Sequence, residues 1–346
     1  MPLMTAISIV MPVYNCGPYI REAIDSMLGQ RFKDFEFIII NDGSTDETEA
    51  IIKSYADTRI KYLNNETNLG VSASRNLGMG IATGKYIAVM DGDDIAFPER
   101  LQEQFNFLEK HPDTDILGTA REIFSDSYRF IKTYPFDPGY IASHLFFRNA
   151  LAQPTVMLRR EFIVANGLWY NTEINIGEDF DLWYRAVMAG GTIKNLTKPL
   201  LYYRVSDTQA SHISNNSIRL SVLESLFRSK LEQMRLKCND GDFDLLFSFV
   251  MGRIKMDHEK YRKLKSMFDE IEKANSGIKS FSTTYFSAVI LSFRIRLIKY
   301  LYLEQGKPIV FLFQAVLLLL QKGPTVFWLF WVNEGRYIKK LPGELP

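Results

Sequence analysis

The chain has 346 residues, of which 47% are hydrophobic and 23% are charged, and its formal net charge is +1. These values are typical of a folded protein and argue against a disordered or uniformly basic chain. The charge is unevenly divided: residues 1–214 hold 20 basic and 27 acidic residues, whereas residues 215–346 hold 21 basic and 13 acidic. We therefore expect an acidic catalytic domain over 1–214 and a basic, surface-binding region over 215–346.

Two features of the sequence favour a reducing compartment. Its two cysteines, Cys16 and Cys238, form neither a disulfide framework nor a zinc-binding spacing. The N-terminus lacks the basic segment of a signal peptide, and residues 7–12 are typical of a strand followed by a turn. We expect the active site to face the cytoplasm.

Strand-like and helix-like patterns alternate over the first 200 residues. The predicted strands cover residues 6–10, 35–40, 60–63 and 86–90, and the predicted helices cover residues 19–28, 47–55 and 73–82. We expect Pro12 to end the first strand and Ser44 or Thr45 to cap the second helix. Short apolar strands alternating with helices predict an α/β fold, with a mostly parallel sheet covered on both faces.

Polar residues follow three of these strands, at Tyr14-Asn15, Asn41-Asp42 and Asp91-Gly92-Asp93-Asp94. Ligands of such sheets bind beyond the carboxyl ends of the strands, so we expect these residues to share one cleft. Three carboxylates within four residues predict a Mg²⁺ or Mn²⁺ site, because hard divalent cations prefer oxygen ligands. The alternative is a solvated acidic turn that opens a helix.

After residue 215 the strands give way to helical and apolar stretches. No stretch reaches the roughly 18 apolar residues that a membrane-spanning helix needs. Residues 279–340 combine apolar blocks with basic residues, among them Arg294, Arg296, Lys299, Lys307, Lys322, Arg336, Lys339 and Lys340. This combination predicts peripheral contact of residues 279–340 with an anionic membrane. The alternative is a helical packing domain or a dimer interface.

Five segments together resemble the motifs of the family 2 inverting glycosyltransferases, which have the GT-A fold. The segments are residues 8–15, 39–46, 68–78, 91–94 and 177–183, in the order of the family. The resemblance covers residues 5 to about 205. It implies a Rossmann-like mixed sheet with helices on both faces, as in nucleotide-diphospho-sugar transferases, followed by a mainly helical C-terminal region.

The resemblance also implies how the nucleotide is bound. Asp42 would accept the N3–H of a uracil, Tyr14 would stack on the base, and Pro12 and Val13 would shape the pocket. From the residues alone, Asp42 can equally form an Asx turn with its own backbone. An aromatic residue after a strand, such as Tyr14, more often packs in the core.

For the diphosphate, the resemblance implies that Asp91 reaches the ribose or the metal shell and that Asp93 ligates Mn²⁺ or Mg²⁺. This cation would stabilise the negative charge that grows on the leaving nucleoside diphosphate. Arg75 would contact the same diphosphate. Its alternative is an ordinary surface arginine on a helix face.

The resemblance of residues 177–183 to a motif of the family implies which residue is the catalytic base. Asp179 would take the proton of an acceptor hydroxyl, and Glu178 would orient the acceptor or the base. Acidic residues at a helix start also occur without any such role, since they complement the helix dipole. A histidine that often follows Tyr-Tyr-Arg in the family is absent after Arg204, and a metal-binding role for His212 is therefore not assigned.

The predicted function is transfer of a hexosyl or N-acetylhexosaminyl group from a nucleotide sugar, UDP-linked, to a glycan or lipid-linked acceptor in surface polysaccharide synthesis. The predicted location is the inner face of the cell membrane. One alternative is a membrane scaffold that binds nucleotide sugar without turnover. A sugar nucleotidyltransferase ranks lower, because residues 11–17 are not a Gly-rich, basic phosphate loop. The basic residues alternate with apolar runs, which argues against nucleic-acid binding.

Overall fold

The computed structural model describes residues 5–125, 128–174, 176–205, 216–278, 280–303, 306–334 and 339–340. These residues divide into two compact units. The first unit contains the described residues of 5–134 and 151–218, with 339–340, and the second contains those of 135–150 and 219–334. The segment 135–150, which the sequence-based boundary at 214/215 assigns to the first domain, thus belongs to the second unit.

The first unit is built around a mixed sheet. Its strands are β1 (Ile7–Val13), β2 (Phe35–Asn41), β3 (Ile60–Asn64), β4 (Tyr86–Val89), β5 (Ile95–Ala96), β6 (Ile116–Phe124), β7 (Arg129–Lys132), β8 (Met157–Arg159), β9 (Ile193–Arg204) and β10 (Lys339–Lys340). The main path runs β10-β7-β6-β8-β4-β1-β2-β3, and β9 pairs with both β5 and β6. Strands β3, β2, β1 and β4 are parallel neighbours, whereas β8 is antiparallel to β4.

Thirteen α-helices lie within the described residues. They are α1 (Gly17–Leu28), α2 (Thr48–Lys53), α3 (Val71–Ile81), α4 (Arg100–Lys110), α5 (Pro138–His144), α6 (Arg160–Ala165), α7 (Glu178–Met188), α8 (Asn216–Gln233), α9 (Asp240–Met251), α10 (His258–Ile278), α11 (Thr283–Ile298), α12 (Pro308–Lys322) and α13 (Pro324–Glu334). The predicted α/β class and the helical C-terminal region are confirmed.

Side chains of successive residues in β1 point to opposite faces of the sheet, and each face carries a helix. Ile9 and Met11 belong to the apolar core that also contains residues of α1 and α4. On the other face α3 approaches the sheet through Gly78, where a Cβ would lie 2.6 Å from Val10 Cγ1 and 2.7 Å from Ile40 Cδ1. A glycine is therefore required at this closest approach of α3 to the strands.

Pro12 does not end the first strand, contrary to the prediction, because β1 continues to Val13 in register with β2. Strand β4 pairs with β1 only as far as Val10, which lies opposite Val89. Val10 and Pro12 direct their backbone groups to the same side, so the missing N–H of Pro12 falls beyond the end of β4. No ladder hydrogen bond is lost there.

The predicted cap of the second helix is also wrong. Helix α2 begins after Glu47, which makes no side-chain cap bond. Ser44 Oγ instead accepts the backbone N–H of Asn15 at 2.9 Å, and Thr45 N–H donates to Asn15 Oδ1 at 2.8 Å. The polar residues after β2 therefore fix the turn after β1.

The second unit is helical and has an aromatic core. Its buried phenylalanines include Phe146, Phe147, Phe227, Phe243, Phe249, Phe268, Phe286 and Phe293. Arg148 and Arg296 both donate to the backbone oxygen of Val250 at the C-terminal end of α9. These bonds satisfy carbonyls that the end of a helix leaves unpaired.

Glu36 in β2 is a buried carboxylate at the opposite end of the sheet from the polar strand ends. Burial by itself raises its pKa, but bonds from Lys61, Ser8 and Thr83 outweigh burial and lower the pKa of Glu36 to about 2. The charged form is therefore favoured in the folded protein, and its contribution to stability depends on pH.

We expect Glu36→Gln to destabilise the protein at neutral pH by about 1–3 kcal/mol, because buried donors lose a charged acceptor. The advantage of the wild type is complete above the ordinary pKa of 4.5 and declines as the pH falls towards about 2. Denaturant unfolding of both proteins, near neutral pH and near pH ~3, tests this. Glu66→Gln, at an exposed carboxylate of the same unit, serves as control, and a stability difference that does not shrink in acid contradicts the assignment.

Candidate active site

The polar ends of β1, β2 and β4 lie next to one another in the first unit. Asp42 N–H donates to Val13 O at 2.8 Å, which joins the ends of β1 and β2. A Cβ at Gly92 would lie 2.7 Å from Val13 Cγ1, so the turn after β4 touches the end of β1. The predicted meeting of these three strand ends is therefore present in the structure, at the edge where such sheets bind ligands.

Asp42 is only 3% exposed, and its carboxylate organises the loop that leads into α3. It accepts hydrogen bonds from Asn65 Nδ2 at 2.7 Å and from the backbone N–H groups of Leu69 and Gly70, both at 2.9 Å. These bonds use three of the four or so lone-pair positions of a carboxylate. The local turn is made instead by Asn41, whose Oδ1 accepts Ser44 N–H at 3.2 Å, so the Asx-turn interpretation of Asp42 is wrong.

Tyr14 is 47% exposed and does not pack in the core, whereas Pro12 and Val13 are buried beneath it in β1. The next residue, Asn15, has a positive φ of 50°. Its two bonds to the segment after β2 hold this unusual backbone conformation in place. The Tyr14 side chain is therefore presented to solvent from a fixed turn, where it is available to stack on a planar ligand.

Arg75 in α3 lies at the centre of the site and is only 4% exposed. One terminal nitrogen contacts Asp91 Oδ1 at 2.9 Å and the other contacts Glu178 Oε1 at 2.6 Å. Burial acts to lower the pKa of Arg75, but the charges of Asp91 and Glu178 outweigh it and raise the pKa above its ordinary value. The alternative of a surface arginine is wrong, and both terminal nitrogens already bind carboxylates.

Three further hydrogen bonds fix the segment before α7 against α3. Ser72 Oγ donates to Ile174 O at 3.1 Å, Asn76 Nδ2 donates to Tyr170 O at 2.8 Å, and Tyr170 N–H donates back to Asn76 Oδ1 at 2.9 Å. The ring of Tyr170 also lies 5.5 Å from the guanidinium carbon of Arg75. Helix α3 thus orients both the β4 end and the start of α7.

Helix α7 begins after Gly177, whose φ of +89° lies in the left-handed region that favours glycine. Its first turn contains Glu178, Asp179 and Asp181. Glu178 is buried against Arg75, whereas Asp181 pairs with Arg185 on the same helix at 2.8 Å. Asp179 Oδ1 accepts the N–H of Phe180 at 2.8 Å, a bond that favours the charged carboxylate.

The surroundings of Asp179 include two buried tyrosines. Burial is the main cause that raises the pKa of Tyr134 and of Tyr170, and the negative charge of Asp179 raises both further. These phenols therefore stay protonated and can act as hydrogen-bond donors near this carboxylate. Neither tyrosine is identifiable from the sequence, since each stands in an irregular segment without a motif.

The acidic turn after β4 is anchored by the end of β9. Asp94 is fully buried, and its Oδ1 accepts the N–H of Arg204 at 3.0 Å. Arg204 Nε donates to Asp93 O at 3.1 Å. Burial, together with the charges of Asp93 and Asp91, raises the pKa of Asp94 well above its usual range. Sequence analysis missed this role of Arg204, because only the pairing of β9 with β5 brings it to the turn.

The donor set of this turn fits a divalent cation that a diphosphate helps to bind. No group of three or more His, Cys, Asp or Glu side chains suited to a metal occurs among the residues that the structure describes. Mg²⁺ commonly takes only one or two protein carboxylates, with substrate phosphates and water completing its shell. Asp91 and Asp93 are the carboxylates that would hold such an ion, with Asp91 Oδ1 also bound to Arg75. His212 lies outside the described residues.

Hydrogen bonds, ion pairs and close packing thus connect most of the predicted site residues. Val13 touches both Asp42 and the turn that contains Asp91 and Asp93, and Arg75 joins Asp91 to Glu178. These acidic side chains lie at the carboxyl edge of a mixed α/β sheet, where such sheets bind their ligands. The arrangement fits the GT-A class of nucleotide-sugar transferases that the sequence resembles.

Comparison with known proteins agrees with this class. The family model "Glycosyl transferase family 2" matches residues 8–168. An uncharacterized glycosyltransferase of Methanocaldococcus jannaschii is 34% identical over 254 residues, which are 71% of this chain and 86% of that protein. The O-antigen biosynthesis glycosyltransferase WbnJ of Escherichia coli is 33% identical over 262 residues, 73% of this chain and 98% of WbnJ.

A solved structure gives the same fold. The crystal structure of S. aureus TarS 1–349 in complex with UDP-GlcNAc has a TM-score of 0.56 and 19% sequence identity, and covers 96% of this chain and 93% of that one. With the relatives above, these comparisons make the chain a member of glycosyl transferase family 2. It is a glycosyltransferase.

We expect Arg75→Lys to lower kcat/KM for sugar transfer by about a hundredfold or more. An ammonium group cannot hold Asp91 and Glu178 in the fork geometry of a guanidinium, and misplacement of about 1 Å in an active site costs this much. Arg59→Lys, which changes a partly exposed pair with Asp57, is the matched control. Wild-type kcat/KM in Arg75→Lys, with an unchanged melting temperature, contradicts the bridging role.

Proposed function

We propose that this glycosyltransferase is inverting and metal-dependent, and that it moves a sugar from a UDP-sugar to a hydroxyl of a glycan or lipid-linked acceptor in surface polysaccharide synthesis. The observation that carries the proposal is the double ion pair of Arg75, which joins the acidic turn after β4 to the start of α7. The name of the E. coli relative and the UDP and UDP-GlcNAc complexes of TarS support the acceptor and donor classes.

The donor nucleotide is proposed to bind at the ends of β1 and β2. The exposed ring of Tyr14 stacks on the uracil, over a floor formed by Pro12 and Val13. Asp42 contributes its remaining acceptor capacity to the N3–H of the base, while its other bonds keep the 65–70 loop in place. This arrangement favours a base that presents an N–H donor, as uracil does.

Asp93, with Asp91 beside it, is proposed to hold Mn²⁺ or Mg²⁺ together with the diphosphate. Such a cation, when bound, neutralises the charge that develops on the leaving diphosphate. The Asp91 carboxylate would bind the cation while it stays paired with Arg75, and this ion pair fixes the orientation of the carboxylate. Arg75 also places a positive charge close to the donor, which offsets the repulsion between the diphosphate and the carboxylates.

Asp179 is proposed as the general base. Asp179 stands in the first turn of α7, in the segment that resembles the family motif of the base. Glu178 is paired with buried Arg75, which suits a positioning role for that carboxylate. The Asp179 carboxylate takes the acceptor hydroxyl proton as the hydroxyl oxygen bonds to the anomeric carbon. The bond from that carbon to the diphosphate oxygen breaks on the opposite side, so an α-linked donor gives a β-linked product.

We also propose that the enzyme works at the cytoplasmic face of the membrane, where a lipid-linked acceptor would be presented. Cys16 and Cys238 are both free thiols, which suits a reducing compartment. Burial raises the pKa of Cys16 to about 12, so this thiol beside the acidic turn stays protonated and unreactive.

We expect Asp179→Asn to lower kcat by about 10²–10⁴-fold while leaving the affinity for UDP-sugar within about threefold, since general-base catalysis contributes this much. UDP release and donor binding by calorimetry are measured side by side. Asp181→Asn is the matched control, because Asp181 stands in the same first turn of α7 but pairs with Arg185.

The product of the wild-type reaction is examined by NMR for its anomeric configuration. Retention of configuration, or full activity of Asp179→Asn, contradicts the proposed mechanism. Donor binding without UDP release in the wild type, with acceptors of several glycan classes, would instead favour a scaffold.

We expect a chelator to abolish sugar transfer and added Mn²⁺ or Mg²⁺ to restore it. Asp93→Asn is expected to weaken metal-dependent donor binding by at least about tenfold, because a ligating carboxylate becomes a neutral amide. Asp113→Asn, at an exposed carboxylate paired with Lys194, is the control. Undiminished transfer in the chelator contradicts metal dependence.

A further inference from the structure

Helix α12 in the second unit exposes large apolar side chains along its whole length. Ile309 is 83% exposed, Leu320 is 74% exposed, and Leu312 and Phe313 are each more than 60% exposed. In water, surfaces of this kind are costly and mark sites where a protein meets another apolar phase.

The exposed side chains of α12 occupy one broad face. At about 100° per residue, they cover an arc of roughly 160°. The members of this face are Ile309, Val310, Leu312, Phe313, Val316, Leu317 and Leu320. The sequence from Pro308 to Leu320 contains no charged residue, and its one polar side chain, Gln314, lies outside the arc.

Helix α13 extends this surface after a sharp bend. Gly323, with φ of +78°, separates the two helices, and the chain bends by 118° between them. Trp328 and Trp331 on α13 are both more than half exposed. Tryptophan combines an apolar ring with an N–H donor, which suits the boundary between lipid and water.

The geometry of α12 favours a helix that lies in a membrane surface. Among the described helices none is long and apolar enough to span a membrane alone, and α12 with α13 qualifies only as a bent pair. The 15 residues of α12 measure about 22 Å, less than the ~30 Å of a bilayer core. An in-plane helix needs only one apolar face.

Three of the basic residues predicted to attract anionic lipid are engaged within the second unit. Arg294 pairs with Asp269 and Glu272, and Lys322 pairs with Glu272 at 2.6 Å. Arg296 donates to backbone oxygens at the end of α9. Helix α11, which holds both arginines, is also largely buried. The apolar face is therefore the larger source of attraction to a membrane.

We propose that the α12–α13 elbow, residues 308–333, is a docking surface for a lipid bilayer and that it binds mainly by apolar insertion. An apolar arc of about 160° is broader than the narrow a/d seam of a coiled coil, and no charged residue interrupts it between Pro308 and Leu320. Lipid chains cover such an arc completely. The membrane docking does not depend on the roles proposed above for the donor nucleotide, the metal ion and Asp179.

The test is co-sedimentation of the full chain with vesicles of neutral phosphatidylcholine, alone and with phosphatidylserine. We expect binding to neutral vesicles, with less than about threefold change between ~0.1 M and ~1 M salt, over which the Debye length falls from about 10 to 3 Å. Leu312→Asp with Phe313→Asp should lower the partition coefficient at least tenfold. Ile309→Asp, at the most exposed position, is a second, milder variant expected to lower it severalfold.

The matched control is Val164→Asp with Met188→Asp, which introduces the same charge at two exposed apolar positions of the first unit. Melting temperatures confirm that each variant is folded. The proposal is overturned if the wild type ignores neutral vesicles, if high salt abolishes binding, or if the α12 variants bind like the control. A wild-type dimer that dissociates in the α12 variants, without vesicle binding, would identify a second copy as the occupant.

Discussion

The active site depends on one buried cation, the guanidinium of Arg75. Asp91 and Glu178 come from elements far apart in the chain, and Glu178 would be costly to bury as an unpaired carboxylate. Arg75 satisfies both at once, so the end of β4 and the start of α7 are held at a fixed separation. The roles proposed for the neighbouring residues depend on this spacing, since the acidic turn after β4 and the first turn of α7 lie on its two sides.

The fold could be predicted because the sequence patterns that specify its strands and helices are local. Short apolar runs followed by polar residues marked β1, β2 and β4, and the geometry of parallel strands then required their ends to meet. Bonds between distant segments were not predictable. The partners of Asp42 lie more than 20 residues away in a loop, and Glu178 stands 103 residues from Arg75. No spacing rule links such pairs, so the sequence marked Arg75, Asp91 and Glu178 as site residues but did not show that they pair with one another.

The C-terminal region, residues 215–346, could likewise be predicted only in part. Its composition predicted helices with apolar and basic residues, and helices are present. Which lysines and arginines are available to a partner depends on tertiary pairing, as with Lys322 and Glu272. The segment with α5 belongs to the second unit, although its sequence resembles any short helix between strands. Composition therefore identifies the kind of surface, whereas only packing decides what that surface presents to solvent.

Gly78 has a consequence for how this enzyme can change. Helix α3 rests on β1 and β2 through the missing side chain of this residue, only one turn beyond Arg75. A methyl group there would push the helix outward and carry the guanidinium away from its acids. A single added carbon beneath α3 would therefore disturb the arrangement of Arg75 and its acids from the far side of the helix, without touching any substrate.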